Sequence, residues 1–310
     1  MDANQNRREF KFVLPPHLAD LLRARVAEVM VPDRGAEDGY PILSEYFDTD
    51  ERSSYWQKQF GVENRRRVRS RVYGRRDGAI PPSAFVEVKH KLEGVTVKRR
   101  IAVELDELPR LSAGELPNHK GTPTPTDERV MAEIQDLVQT GGSKPVVQIR
   151  YHRYAFDSGP EGTIRITFDI DPRCRFRLIP LTPDDPDFEL PLLDPGSALM
   201  EVKTIGPVPY WFRNLIGEYK LVPRSFSKYT AALEMYEFKG QTRVPARPAP
   251  AATTRLLRNP NPVDDKGRPI PPTTSALPRR ARVPEPAKTG GIFRLIAQKL
   301  WALMVPAKAR

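Results

Sequence analysis

Apolar and charged residues alternate with period two along several short stretches of this chain. Arg67-Val68-Arg69-Ser70-Arg71-Val72-Tyr73 is one, and Phe85-Val86-Glu87-Val88-Lys89 is another. Thr163-Ile164-Arg165-Ile166-Thr167-Phe168-Asp169 and Met200-Glu201-Val202-Lys203 repeat the pattern. In a strand this spacing sends apolar side chains to one face and Arg, Lys or Glu to the other. A single strand of that kind is an ordinary solvated sheet edge. Several in one domain predict a sheet rolled around a charged lumen, because larger barrels enclose ligand cavities. A lumen rich in Arg and Lys suits a polyanion.

The same reading predicts strands over 7–14, 42–48, 65–75, 84–92, 95–105, 146–157, 163–170, 173–179 and 198–204. Glu93-Gly94 fits a hairpin turn between two of them. Pro15 and Pro16 open a helix that carries Leu18, Leu21, Leu22, Val26 and Val29 on one stripe. Asp127 caps a second helix running through Val138, and Gly141-Gly142 stops it. Residues 210–219 and 226–238 read as two more helices. The expected architecture for residues 1–240 is α+β, a closed antiparallel β tunnel barrel with a charged lumen and flanking helices.

Beyond Gly240 the pattern changes. Residues 241–290 are dense in Pro, Ala, Thr and Arg without a hydrophobic period, as in a disordered linker. Residues 291–310 hold a short amphipathic helix, with Ile292, Phe293, Ile296, Leu300, Leu303 and Met304 on one face. A bilayer needs about 20 apolar residues, so this helix is expected to lie on a membrane surface or dock on a partner, with packing on its own domain as the third alternative.

Charge sharpens this division. The 310 residues carry a net +11, yet residues 241–310 alone hold 14 Lys and Arg against 3 Asp and Glu. That leaves residues 1–240 balanced, at 36 against 36. Non-specific nucleic-acid binding would therefore belong to the tail, and with no zinc knuckle or aromatic RNA motif it ranks last among the functions. The one cysteine, Cys174, excludes an internal disulfide and a cysteine-based zinc site. With no signal-peptide pattern and no long apolar run, the expected location is cytoplasmic, peripheral to the membrane face if the tail attaches there.

Several familiar sites are absent. Gly141-Gly142-Ser143-Lys144 lacks Walker A spacing. His17, His90, His119 and His152 have no metal-ligand spacing, and no Ser/His/Asp order stands out. What remains is cationic and carboxylate. Arg69 and Arg71 share a strand face and can grip consecutive phosphates bidentately. Glu87 with Lys89, Arg153 with Arg165 across neighbouring strands, and Glu201 with Lys203 form three further pairs. Lys11, Lys98 and Lys228 add charge.

These residues sit in blocks that resemble a family. Arg7-x-Glu9-x-Lys11-Phe12, Ser44-Glu45-Tyr46-Phe47-Asp48-Thr49 and Arg69-x-Arg71-x-Tyr73-Gly74 look like the VTC domain. So do Val86-Glu87-Val88-Lys89, Val97-Lys98-x-Arg100, Tyr151-x-Arg153-x-Ala155-Phe156, Ile164-Arg165-Ile166, Met200-Glu201-Val202-Lys203 and Phe226-Ser227-Lys228-Tyr229. This is the polyphosphate polymerase domain of the vacuolar transporter chaperone complex, related to the triphosphate tunnel metalloenzymes. The resemblance spans residues 7–238.

It implies a polymerase that moves the γ-phosphoryl of ATP onto a growing polyphosphate chain with a divalent metal, manganese or magnesium. Carried over by position, Arg69, Arg71, Lys89, Arg153, Arg165 and Lys228 would act on the transferred group. Lys11, Lys98, Lys203 and Arg224 would bind phosphates, and Glu201 would hold the metal. Phosphoryl transfer suits such a set, since positioning and charge neutralisation are most of the work. In Val222-Pro223-Arg224-Ser225-Phe226 an extra residue displaces Arg224 from the family's usual lysine. The phosphate-sensing domain and transmembrane helices of eukaryotic members have no counterpart here. Coupling to translocation would then need a membrane-protein partner, with the tail as a link.

Two other readings keep the tunnel. One is a hydrolase of tripolyphosphate or nucleoside triphosphates, disfavoured because Arg7-x-Glu9-x-Lys11 lacks the first glutamate of the hydrolases' Glu-x-Glu-x-Lys strand. The other is a non-catalytic polyphosphate or nucleotide sensor or scaffold.

Overall fold

A computed structural model of the chain describes residues 7–33, 37–75, 82–92, 95–158 and 163–239. The linker expected over 241–290, the helix expected over 291–310 and the Glu93-Gly94 turn lie outside the described residues.

Among the described residues, ten strands form one antiparallel sheet. They are β1 (Arg7–Leu14), β2 (Val31–Pro32), β3 (Tyr40–Asp48), β4 (Arg65–Tyr73), β5 (Ser83–Leu92), β6 (Val95–Val103), β7 (Lys144–Asp157), β8 (Ile164–Arg175), β9 (Leu190–Pro191) and β10 (Ala198–Ile205). The main path runs β1-β10-β8-β7-β3-β4-β5-β6, with β2 pairing β7 and β9 pairing β8. The helices are α1 (Pro16–Ala27), α2 (Ser53–Gln59), α3 (Leu108–Ser112), α4 (Pro125–Gln135), α5 (Tyr210–Glu218) and α6 (Lys228–Ala232).

The period-two alternation sets both faces. Phe12, Leu14, Ile166, Phe168, Met200 and Val202 turn outward under α1 and α5. Leu43, Val68, Val72, Val86, Val88 and Ile101 turn outward under α3 and α4. Their charged neighbours take the other face, which is concave. Lys89 on β5 feels the charges of Glu9 and Lys11 on β1, although those strands lie near opposite ends of the path, so the sheet curls round. Bulges beside Tyr46 in β3 and Arg150 in β7 bend the strands. Gly39 takes φ 71°, and an added Cβ there would lie 2.5 Å from the Arg153 carbonyl oxygen. The turn into β3 can press against β7 only as glycine.

The curl stops short of the expected closed barrel. Among the described residues β1 and β6 end the path without pairing to each other. Loop backbone occupies part of each edge instead. The Arg224 N–H donates to the Lys11 carbonyl at 2.7 Å, and the Lys120 N–H to the Ala102 carbonyl at 2.8 Å. At these points the edge carbonyls are paired by loop backbone in place of a strand.

Other elements differ in detail. The strands expected at 163–170 and 173–179 are one strand, β8, which passes through Asp171 in a left-handed conformation (φ 44°). Thr124, three residues ahead of the expected Asp127, caps α4, and the two side chains form a reciprocal capping box. The last helix starts at Lys228, capped by Ser227, and continues as a wider turn over Leu233–Glu237. α2, which carries no apolar stripe long enough to announce it, closes one end of the concave side. There Tyr55 joins Tyr151, Tyr229, Ile149 and Leu233 in an apolar floor. No helix among the described residues is long and apolar enough to cross a membrane.

Candidate functional site: two carboxylate-centred cation clusters

Odd-numbered positions of β4 place Arg65, Arg67, Arg69, Arg71 and Tyr73 along one line of the concave face. Glu87 stands directly opposite Arg69 on β5. The Arg69 Nε donates to Glu87 Oε2 at 2.7 Å, Lys98 reaches Glu87 Oε1 from β6, and Arg71 lies 4.0 Å away. Burial alone would raise the Glu87 carboxyl; the Arg69, Arg71 and Lys98 charges outweigh it and hold the group well below the usual carboxylate range. Hydroxyls fix the guanidinium groups further. Arg69 donates to the Tyr46 hydroxyl at 3.2 Å, while Arg71 donates to Ser44 Oγ at 3.1 Å and to the Tyr151 hydroxyl at 3.2 Å.

A second cluster centres on Asp169 and Glu201. Arg153 grips Asp169 bidentately, Nε to Oδ1 at 2.6 Å and Nη2 to Oδ2 at 2.8 Å. Lys228 makes a buried ion pair with the same Oδ2 and lies 3.7 Å from Glu201 Oε1. Lys11 and Lys203 approach Glu201 at 3.3 Å, one on each carboxylate oxygen. Burial should lower the Lys228 ammonium, but Asp169 and Glu201 raise it above its ordinary range. The same cations hold Asp169 and Glu201 down against burial. Asp169, Glu201 and Lys228 are therefore ionised at neutral pH.

The structure gathers most of the sequence candidates into these two clusters. Arg69, Arg71 and Lys98 come together at Glu87; Lys11, Arg153, Lys203 and Lys228 come together at Asp169 and Glu201. Lys89 is exposed to solvent, yet the surrounding protein still desolvates its ammonium. That desolvation, with the Lys11, Arg69 and Arg67 charges and against the pull of Glu9, lowers it to about 8. Two positions differ. Arg165 does not pair with Arg153: the register sets Arg153 opposite Asp169 and Arg165 opposite Asp157. Arg165 instead binds Asp33 at 2.6 Å, toward the β2 end. Arg224 is exposed, and what ties it to the sheet is its backbone contact with β1.

Asp169, Tyr46 and Tyr151 are the residues the sequence reading overlooked. Asp169 shares the parity of Arg165 in β8, so the alternation alone could have placed it on the charged face.

The donors limit how a metal could bind. Both Glu201 oxygens face ammonium groups, and no group of three or more His, Cys, Asp or Glu able to hold a metal ion occurs among the described residues. A hard cation fits at Glu201 only if phosphate oxygens and water fill most of its shell, as magnesium sites on nucleotides allow.

No curated protein matches the sequence. Among solved structures, a Hippeastrum protein described as an adenylyl cyclase candidate with a dominant triphosphatase activity is similar at 16% identity. The match covers 73% of this chain and 94% of that one, with a TM-score of 0.44. A Bacillus halodurans protein described as an adenylate cyclase candidate matches at 12% identity over 72% of this chain and 96% of that one, with a TM-score of 0.39. At TM-scores under 0.5 these likenesses add nothing to the assignment. A family model, the VTC domain, matches residues 6–236. That span takes in both clusters and every strand of the sheet, and the chain belongs to the VTC-domain family.

Proposed function

We propose that the chain is a polyphosphate polymerase that transfers the γ-phosphoryl group of ATP to the end of a polyphosphate chain. The observation that carries this reading is the charge balance of the concave face. Glu9, Glu87, Asp169 and Glu201 are outnumbered there by Lys11, Arg69, Arg71, Lys89, Lys98, Arg153, Lys203 and Lys228. The carboxylates orient the cations without neutralising them, which leaves a preorganised surface for phosphate oxygens.

In the proposed step a terminal phosphate oxygen of the acceptor attacks Pγ, the bond from Pγ to the β,γ-bridging oxygen breaks, and ADP leaves with that oxygen. Arg69, Arg71, Lys89, Arg153 and Lys228 are assigned to the transferred group, with Lys11, Lys98 and Lys203 on flanking phosphates; Arg165, held by Asp33, and the exposed Arg224 are left out of the step. A manganese or magnesium ion arriving with the triphosphate would be held by Glu201, and when bound it offsets charge on the phosphoryl oxygens. We place the reaction in the cytoplasm, with ATP and polyphosphate as partners and a membrane surface or membrane protein as the tail's contact.

A non-catalytic polyphosphate sensor is the second reading, favoured by the lysines that occupy both Glu201 oxygens. A hydrolase lacks support, since Glu9 stands on β1 with Arg7 in place of a second acid. Incubating the full chain with ATP and manganese, then staining products on a polyphosphate gel, separates the three. A metal-dependent ladder supports the polymerase, free phosphate without a ladder the hydrolase, and tight tripolyphosphate binding without turnover the sensor.

A further inference from the structure

Phe85 breaks the charge pattern of the concave face. Strand parity aligns it with Glu87 and Lys89 on β5, while Ala84, Val86 and Val88 turn into the core behind. Arg71 stands opposite it on β4 and Ala102 on β6. The ring is half-buried, and it joins none of the three apolar clusters formed by the described residues.

Two groups touch the ring. Tyr73 meets it edge-on at 5.8 Å between centroids, and the Arg100 guanidinium lies 4.3 Å from the ring centre. Arg100 faces Glu87 in the register, but Arg69 and Lys98 already bind that carboxylate. Its charge rests on the aromatic ring instead. A cavity of about 510 Å³ opens beside Phe85, with Ser83, Ala102, Glu104, Leu105 and Lys120 among its walls. Glu104 and Lys120 pair at 3.1 Å and stay more than half exposed, so they form its solvent edge.

A phosphate gains nothing from Phe85, Ala102 or Leu105. A flat heterocycle gains stacking on Phe85, a cation over its π face, and an acceptor and a donor at Glu104 and Lys120. The position also fits, since same-face neighbours along a strand stand about 7 Å apart. Phe85 is therefore one step from Glu87 and level with Arg71, beside the cations of the first cluster.

We propose that Phe85, Arg100 and the adjoining cavity form a nucleobase subsite for the purine ring of a nucleoside triphosphate. The base lies against Phe85 in place of the guanidinium, and Arg100 closes over its outer face. Two fused rings cover the phenyl face more fully than one, which favours purine over pyrimidine. This rests on the phosphate-binding reading of the concave face and adds the group that tells a nucleotide from an inorganic phosphate chain.

The test is calorimetric titration of the full chain with ATP, UTP and tripolyphosphate, for the unmutated protein and Phe85→Ala. The unmutated chain should bind ATP more tightly than UTP. Phe85→Ala should lower ATP affinity about tenfold or more, as for a lost base–aromatic stack, and leave tripolyphosphate within about twofold. Equal loss for ATP and tripolyphosphate would make Phe85 a support of the phosphate cations and overturn the proposal. Unchanged ATP affinity would overturn it too, and equal binding of ATP and UTP would overturn the purine assignment. Should Phe85→Ala fail to fold, Phe85→Leu, which keeps bulk but no aromatic face, must show the same selective loss. An unmutated chain that binds neither ATP nor tripolyphosphate would instead sink the underlying reading.

Discussion

Lys228 and Asp169, 59 residues apart in sequence, form a buried ion pair on the concave face. The pair joins α6 to β8, and Arg153 and Glu201 complete it. Removing one partner would leave the others charged and buried. Asp169→Asn should therefore destabilise the chain by about 3–5 kcal/mol. Denaturant melts would measure this, and tripolyphosphate should restore part of the loss by lending charge to Arg153 and Lys228. A loss below about 1 kcal/mol would mean the cluster is solvated and not built as described.

Acid should act through the same groups. Glu87, Asp169 and Glu201 are all held below their ordinary values in the fold. The stability they contribute is present above their unfolded values, near pH 4, and is lost as pH falls through and below that region. Thermal melts between pH 7 and pH 3 should show a steep decline that Glu87→Gln flattens, at the cost of a lower plateau at neutral pH.

Ligand binding should respond to pH on the alkaline side. Lys89 is lowered to about 8, so it carries its full charge below that pH and loses it above. Phosphates favour the charged form, so tripolyphosphate should bind with proton uptake near pH 8 and weaken as pH rises further. Tyr73 is also lowered to about 8, burial opposing and the Arg71 charge driving the shift, and its phenolate would repel phosphate in the same range. Lys89→Arg should remove part of the dependence, and Lys89→Arg with Tyr73→Phe more of it, in titrations run in buffers of different ionisation enthalpy.

The tether behind Lys228 gives a prediction about positioning. Tyr229 donates to the buried Asp48 carboxylate at 2.6 Å, and Asp48 also accepts from the Ser54 and Tyr55 amides of α2. Tyr229→Phe keeps the ring, which stacks on Tyr46 at 5.5 Å between centroids, and deletes the bond. Stability should fall by about 1.5–3 kcal/mol, as for a hydrogen bond to a charged group. If α6 is held by that bond, turnover should fall further than tripolyphosphate affinity.

Most of this site was legible because it rests on strand parity. Arg69, Arg71, Glu87, Glu201 and Lys203 announce their face through apolar neighbours at alternate positions, and the sheet confirms each. Closure was not legible. Whether β1 meets β6 depends on the loops that carry Lys120 and the Arg224 amide, and no local pattern encodes where a loop lies. Arg153 and Arg165 could be assigned to one face, but their partners follow from the β7–β8 bulge, which shifts the register. α2 was missed because its seven residues bury only Tyr55. The Asp169 partnership depends on Lys228, a contact across 59 residues that alternation cannot supply.

The central claim is that the concave cations form a phosphate site, and the most direct measurement is tripolyphosphate binding by the Arg69→Ala/Arg71→Ala variant. The unmutated chain should bind tightly. The variant should lose about a hundredfold or more in affinity, from two lost charge-assisted contacts, while circular dichroism shows the sheet intact. Unchanged binding by a folded variant would contradict the account, because the phosphates would then sit somewhere other than the face these arginines line.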